Sequence, residues 1–360
     1  MTVPPSRAHY QWLDLLRFIA ALFVVLDHSR EIAFVAYAAL ASDSRGILAG
    51  AFFAFTRLGH EAVIVFFVLS GYLVGGKAIE RMISGSFDPK GFAIDRLSRI
   101  WVPLVPALVL SSIVTGNKDG ILVWVGNLFG LQGAFVSVLG HNSPLWSLSY
   151  EIWFYVLTYA AGRLTRRRSI DAVAVVLIGA GTLVFSRLAL QFLACWIVGA
   201  LFYLKPHRLK PRIGLFSSMA LCAVAVAALQ LTDKGVMAVT ADSPVLQACF
   251  DILLAIGTGM LCVTLVSVRS TRISTAAVPL AAFSYTLYLT HFPFLVALER
   301  GGWKRMSRLD ASTFGIYSAI VVACTLSAWG MYWLFEKHTP RVRTAMKRVG
   351  RRSQISVAAS

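Results

Sequence analysis

The chain has 360 residues, 57% of them hydrophobic and only 14% charged, with a mean hydropathy of +0.70. A soluble domain carries about 25% charged residues, so a soluble globular enzyme is excluded and a multi-pass membrane protein is implied. The formal net charge of +17 does not call for nucleic acid, because basic residues in a membrane protein gather in its cytoplasmic loops.

Apolar runs long enough to span a bilayer, roughly 17–25 residues, recur from end to end. The fold class read from them is all-α and polytopic. About ten transmembrane helices are predicted, near 13–35, 59–76, 98–116, 144–162, 170–185, 188–204, 213–231, 245–267, 276–298 and 312–335. The fifth and sixth share one apolar run and are short. The stretch ILVWVGNLFGLQGAF (121–135) is apolar but broken by glycines, and reads as an interfacial or re-entrant piece. No short apolar core followed by a small-residue cleavage site opens the chain, so the first helix reads as retained rather than as a signal peptide. Residues 1–340 are expected to form a single membrane-embedded domain, and 341–360 a basic cytoplasmic tail. The five cysteines (Cys195, Cys222, Cys249, Cys262, Cys324) lie in apolar runs with no CxxC or metal-ligand spacing, and read as small apolar residues.

Lys and Arg set the orientation. With the N-terminus inside, 24 of the 34 fall on the inner side, among them Arg7, Arg166–Arg168, Arg208, Arg269, Arg272 and the seven in 337–352. That asymmetry predicts both termini in the cytoplasm. The basic loop 300–308 is the misfit, and is expected to face lipid headgroups or an acidic ligand.

Charged side chains inside a bilayer cost roughly 2.5–3.5 kcal/mol each on insertion scales, so each one on a span asks for a reason. The first helix, LDLLRFIAALFVVLDHSREI, carries Arg17, Asp27 and His28. Arg17 and His28 stand about 16 Å apart along the axis. Arg17 reads as a group near the inner surface, and His28 as an ionisable group in the outer half. In DRLSRIWVPLVP, Arg96 and Arg99 share one helical face where a cytoplasmic loop enters the third span. Two guanidiniums so placed suit a phosphate or diphosphate, or serve as an ordinary positive-inside cap. Pro103 and Pro106 follow, and are tolerated where a helix lines a cavity. Glu151, in SPLWSLSYEIWFY, needs a partner, with His28 or His60 the candidates; a carboxylate so placed raises the imidazole's basicity and orients its ring. The stretch GHEAVIVFFVLSGYLVGG enters its span with His60 and Glu61, and SYTLYLTHFPFL carries Tyr288 and His291. His291 reads equally as a satisfied core histidine. Nothing matches a phosphate-binding loop, a nucleophile elbow or a zinc-binding helix.

Taken together these stretches resemble acyltransferase family 3 of the membrane O-acyltransferases. Arg17 and His28 match its Arg-x10-His pattern, and Arg96 and Arg99 its Arg-x-x-Arg pattern. FFVLSGYLV resembles its second-helix signature, WSLSYEIWFY its fourth and SYTLYLTHFP its penultimate span, in the family's order from residue 13 to about 336. One departure is Ile64, where the family often has an acid; Glu61 lies on the same helical face. The resemblance implies ten core spans and transfer of an acyl group, acetyl by expectation, from cytoplasmic acyl-CoA to a hydroxyl presented toward the outside.

By that resemblance Arg17, Arg96 and Arg99 face the CoA phosphates, and His28 is the base near the acceptor; from the residues alone, Glu151 is expected to join the catalytic set by orienting an outer-half histidine, His28 first. His60, Glu61, Tyr288 and His291 are candidates for holding the acceptor. No permanently bound cofactor or metal is expected; acyl-CoA is a substrate. The expected acceptor is a surface carbohydrate or glycolipid such as exopolysaccharide or O-antigen, the expected site the bacterial inner membrane, and the expected partners membrane lipids and glycan-assembly proteins, with no nucleic acid. Some relatives carry a fused extracytoplasmic hydrolase-like domain; none is expected within this sequence, so transfer would be completed alone or with a separate protein. The alternatives are acylation of a small secreted molecule, such as a signalling oligosaccharide or antibiotic, and a transporter, against which the sequence shows no internal repeat.

Overall fold

The computed structural model describes residues 10–166, 171–206, 210–232, 244–268 and 274–358. Arg7, Arg167, Arg168, Arg208, Lys234, Arg269 and Arg272, which enter the charge asymmetry, lie outside them. The described residues form helices and turns with no β-strand, as the apolar periodicity requires of a chain that must satisfy its backbone within lipid.

Each predicted span has its helix: α1 (Gln11–Ala33), α3 (Gly59–Ser70), α5 (Pro89–Thr115), α7 (Leu145–Arg166), α8 (Ala172–Phe185), α9 (Leu190–Leu204), α10 (Pro211–Thr232), α11 (Pro244–Ser267), α12 (Ser274–Arg300) and α13 (Ala311–Leu334). The predicted second span continues past α3 through a π-helical turn, Gly71–Gly76, into α4 (Lys77–Ile83). Two shorter helices, α2 (Ile47–Thr56) and α6 (Ile121–Leu128), fall between the spans, and the basic tail is a helix, α14 (Thr339–Ala358).

Among the described residues, six helical segments are long and apolar enough to cross a membrane. Helices α1 and α7 have the length, 23 and 22 residues or about 33–35 Å, but their polar residues lower their hydropathy. Helices α8 and α9 are strongly apolar but hold only 14 and 15 residues, about 21–23 Å against a hydrocarbon core of about 30 Å. Large apolar side chains such as Ile113 and Phe216 stand exposed along the spans, where lipid rather than water meets them.

The chain divides into two compact units: Met1–Glu80 with Ala189–Ser284 and Gly301–Ala323, and Arg81–Leu188 with Tyr285–Arg300 and Cys324–Ser360. In the first unit α1 packs on α3, α3 and its π turn pack on α9, and α11 packs on α9 and α10. Glycines permit the closest of these approaches. A Cβ at Gly71 would land on the Trp196 carbonyl, and one at Gly199 on the Val68 carbonyl, so the two backbones nearly touch. The Trp196 indole donates to Ser70 Oγ at 3.2 Å across the same seam.

Part of the basic 300–308 loop is explained by this unit. Arg308 pairs with Asp43 at 3.0 Å, and the backbone of Met306 and Ser307 exchanges hydrogen bonds with Ala33, Val35 and Ala41.

In the second unit α5 starts at Asp88, whose carboxylate accepts from Lys90 N, with Pro89 in the first turn, and stops at Gly116 in the left-handed conformation (φ +73°). Pro103 and Pro106 lie inside the helix without ending it. Helix α6 has only eight residues, so 121–135 does not cross a bilayer as a helix. Its irregular backbone is satisfied from within: Asn127 bridges Val123, Ser137 and Leu139, Gln132 donates to the Leu145 carbonyl, and Ser149 and Trp153 both donate to the Gly130 carbonyl. Non-helical backbone at membrane depth needs such cover. Asp171 caps α8 through Val173 N and Ala174 N and receives Arg163 of α7 on both oxygens at 2.8 and 3.1 Å. Helix α14 packs on α5, with Lys347 Nζ 2.9 Å from Asp95.

Candidate active site: two ionic clusters

The first cluster belongs to the first unit and grows from α1. Arg17 pairs with Asp14 one turn earlier at 2.9 Å, so its charge is balanced within its own helix. Asp27 and Arg30 form a second i, i+3 pair at 2.7 Å, and Asp27 also accepts from the backbone N–H of Gly59. Glycine is required there, since a Cβ on residue 59 would strike the Asp27 carboxylate. His28 stands half-buried beside Asp27 on the same helix.

His60 and Glu61 follow Gly59 at the start of α3. His60 Nε2 lies 2.8 Å from Asp251 Oδ1 on α11; the imidazole is one-third exposed and the carboxylate fully buried. Phe192 sits edge-on to the His60 ring at 6.0 Å. Glu61 is buried, and its Oε1 accepts from the Gln230 amide at 3.0 Å. Gln230 also donates to the Arg57 carbonyl at 3.3 Å. The second oxygens of Glu61 and Asp251 are buried without a hydrogen-bond partner among the described residues. Buried polar atoms are mostly hydrogen-bonded, so both are places where a proton or a hydroxyl donor would be accommodated.

The second cluster belongs to the second unit and grows from α5. Arg99 Nη1 donates to Glu336 Oε1 at 3.0 Å, and the guanidinium lies over the Tyr285 ring at 5.4 Å. Glu336 is buried just beyond α13, and its Oε2 accepts from both the backbone N–H and the hydroxyl of Thr286 on α12. Arg96, one turn before Arg99, lies over the Tyr155 ring at 5.5 Å. The Tyr155 hydroxyl donates to Glu151 Oε1 one turn earlier on α7 at 2.6 Å. Each arginine therefore stacks on a tyrosine and has a carboxylate within one bond of it or of that tyrosine. Two arginines against two carboxylates leave little net charge, so any anion would be held by directed N–H groups rather than by bulk attraction.

The sequence-predicted residues thus separate. Arg17, His28, His60 and Glu61 lie in the first unit; Arg96, Arg99, Glu151, Tyr288 and His291 lie in the second. The structure brings Arg96, Arg99 and Glu151 into one neighbourhood, and pairs His60 with Asp251, a residue the sequence reading passed over. Tyr288 and His291 are held inside the second unit: the Tyr288 hydroxyl donates to the Pro144 carbonyl and meets Ser147 Oγ at 2.6 Å. His291 is fully buried and donates from Nδ1 to the Leu287 carbonyl. Both make these bonds to residues of their own unit.

Asp251 could have been found by the rule that exposed His28, since it is a lone acid within the apolar run LQACFDILLAIGTG. Glu336 and Thr286 carry no such signal, because Glu336 follows the last span among charged residues and Thr286 is an ordinary span hydroxyl.

Comparison with known proteins supplies the remaining context. No solved structure matches the chain. An O-acetyl transferase of Shigella phage Sf6 is 28% identical over 165 residues, 41% of this chain and 44% of that protein. Acyltransferase MdmB of Streptomyces mycarofaciens is 29% identical over 171 residues, 46% of this chain and 42% of that protein. The aligned stretches span less than half of either relative. The family model described as an acyltransferase domain matches residues 10–333, from the first turn of α1 to the last of α13, and the chain therefore belongs to the acyltransferase family.

Proposed function

We propose that the protein is an integral-membrane O-acyltransferase that moves an acetyl group from acetyl-CoA to a hydroxyl of a surface or secreted carbohydrate, in the bacterial cytoplasmic membrane with both termini inside. The observation that carries this reading is the family match across nearly all of the helical region, joined to intramembrane histidines and carboxylates in one unit and tyrosine-backed arginines in the other. The name of the phage relative supports an acetyl group and an oxygen acceptor.

In this reading the acceptor hydroxyl gives its proton to His28 as its oxygen attacks the thioester carbonyl. The new C–O bond forms, the C–S bond breaks, and the proton passes on to the departing CoA sulfur. Arg96 and Arg99 hold the donor through its phosphates, with Arg17 assisting. Glu151 stabilises the imidazolium formed at His28. His60, with Asp251 behind it, and Glu61 hold acceptor hydroxyls, and Tyr288 and His291 shape the helix packing of their own unit.

The test is reconstitution. The purified chain in lipid vesicles is given acetyl-CoA labelled in the acetyl group together with a de-O-acetylated surface glycan. Label in the glycan that mild alkali releases supports the reading. Absence of transfer across a panel of glycans and glycolipids, with the chain folded, would remove it.

A further inference from the structure

We infer that Glu336 is a positioning residue that fixes the Arg99 guanidinium for the phosphate groups of a nucleotide-bearing donor. The inference rests on the donor reading of Arg99 given above, and assigns a role to a residue outside every motif in the sequence.

The geometry is one of full commitment. Glu336 is buried, with 2% of its side chain exposed, while Arg99 keeps 34% of its own exposed. One oxygen of Glu336 takes Arg99 Nη1, and the other is occupied by the backbone N–H and hydroxyl of Thr286. The carboxylate is therefore anchored from behind by α12 before it touches the arginine. Tyr285, the neighbour of Thr286, lies under the same guanidinium. Consecutive residues of α12 thus set the plane of the guanidinium and, through Glu336, its rotation. An arginine has five N–H donors in a rigid fork, and among the described residues only Nη1 of Arg99 is engaged. Tethering one edge of that fork leaves the others directed and spares the ligand the entropy of ordering a long side chain.

A simple structural ion pair would need no exposure at the arginine. A simple phosphate-binding arginine would gain nothing from a buried counter-charge, which weakens its attraction for an anion. The combination has a purpose where direction matters more than charge, as it does for a phosphate gripped by a planar fork.

The experiment measures binding of CoA and of pantetheine, which lacks the phosphates, to the detergent-purified full chain by calorimetry. Glu336→Gln keeps the shape and the Thr286 contacts but frees the Arg99 edge. It is expected to weaken CoA binding about tenfold, the scale of one charge-assisted hydrogen bond, and to leave pantetheine binding unchanged. Thr286→Val, which removes one anchor of the carboxylate, is expected to weaken CoA about threefold in the same selective way. Combining Glu336→Gln with Arg99→Ala should cost no more than Arg99→Ala alone. CoA binding at the native level in Glu336→Gln, or equal losses for CoA and pantetheine, would overturn the positioning role. Native CoA binding in Arg99→Ala would instead remove the donor reading of the arginine, an outcome the single variant reports separately.

Discussion

The two ionic clusters follow opposite rules. In the second unit the carboxylates are closed: Glu336 bonds through both oxygens and Glu151 accepts from Tyr155, while the open groups are donors, Arg96 Nε and the Tyr285 hydroxyl, buried without a hydrogen-bond partner among the described residues. In the first unit charge is left open: Glu61 and Asp251 each bond through one oxygen and bury the other without a partner. An unmet buried acceptor costs about 1–3 kcal/mol, and each one calls for a reason such as a catalytic role or a bound water or ion. The closed cluster suits a task of holding, and the open one a task of transferring.

The sharpest break of this comparison is expected at the open cluster. His28→Ala should lower acyl transfer by about 10²–10⁴-fold, the usual contribution of a general base, with unchanged protein level in the membrane. Glycan acetyl content measured beside that level checks it, and near-normal acetylation would take proton removal away from His28.

Asp251→Asn should rank next, because it removes the buried carboxylate that His60 Nε2 meets at 2.8 Å. Removing one member of a buried pair costs about 3–5 kcal/mol; since His60 keeps one-third of its side chain exposed, the loss should fall near the lower end. Thermal unfolding reads that part. The double variant His60→Phe with Asp251→Leu should recover most of the stability, as apolar replacement of a buried pair does, yet bind acceptor no better. Recovery of both would make the pair purely structural.

The helices were legible because span length and hydropathy are local properties, and so were the two arginines, whose i, i+3 spacing needs no tertiary knowledge. The short α8 and α9 were legible as uncertain for the same reason. Pairing was not legible. Asp251 is 191 positions from His60, and Glu336 is 237 from Arg99; only packing brings them together. Tyr288 shows what a signature leaves undecided: it lies within SYTLYLTHFP, and its hydroxyl donates to the Pro144 carbonyl and meets Ser147 Oγ. A signature marks residues that must be kept, and packing keeps residues as firmly as chemistry does.

Glu151 stands between the two rules and can sharpen them. It lies in the closed cluster by its bond to Tyr155, yet the proposed mechanism gives it the imidazolium of His28. Under that mechanism Glu151→Gln should lower kcat several-fold at neutral pH, because the imidazolium formed during proton removal loses a stabilising charge. Tyr155→Phe should do little beyond about a threefold effect, since it removes one neutral-donor hydrogen bond. Equal losses in donor affinity for both variants, with kcat unchanged, would place Glu151 wholly with Arg96.

The smallest effect belongs outside both clusters, at the start of α13. Asp310 caps that helix: Oδ1 accepts from Thr313 N, and the Thr313 hydroxyl accepts from Asp310 N, both at 2.9 Å. The backbone hydrogen bond from Thr313 is the main cause that holds the Asp310 carboxyl below its ordinary value of 3.8. The sign follows from the ionised form being the one that caps. Its contribution is complete above the unfolded value and is lost as pH falls through the lower folded value. Asp310→Asn keeps a cap without a titrating charge, so the first turn of α13 should fray less steeply on acidification than in the native chain. Hydrogen exchange of that turn, followed from neutral pH to below 3.8, reads it directly. Because the cap is solvent-exposed, acyl transfer at neutral pH should be untouched. A loss of activity in this variant would mean that α13 transmits its order to a cluster, and that the open and closed sites are not energetically separate from the exposed turns that frame them.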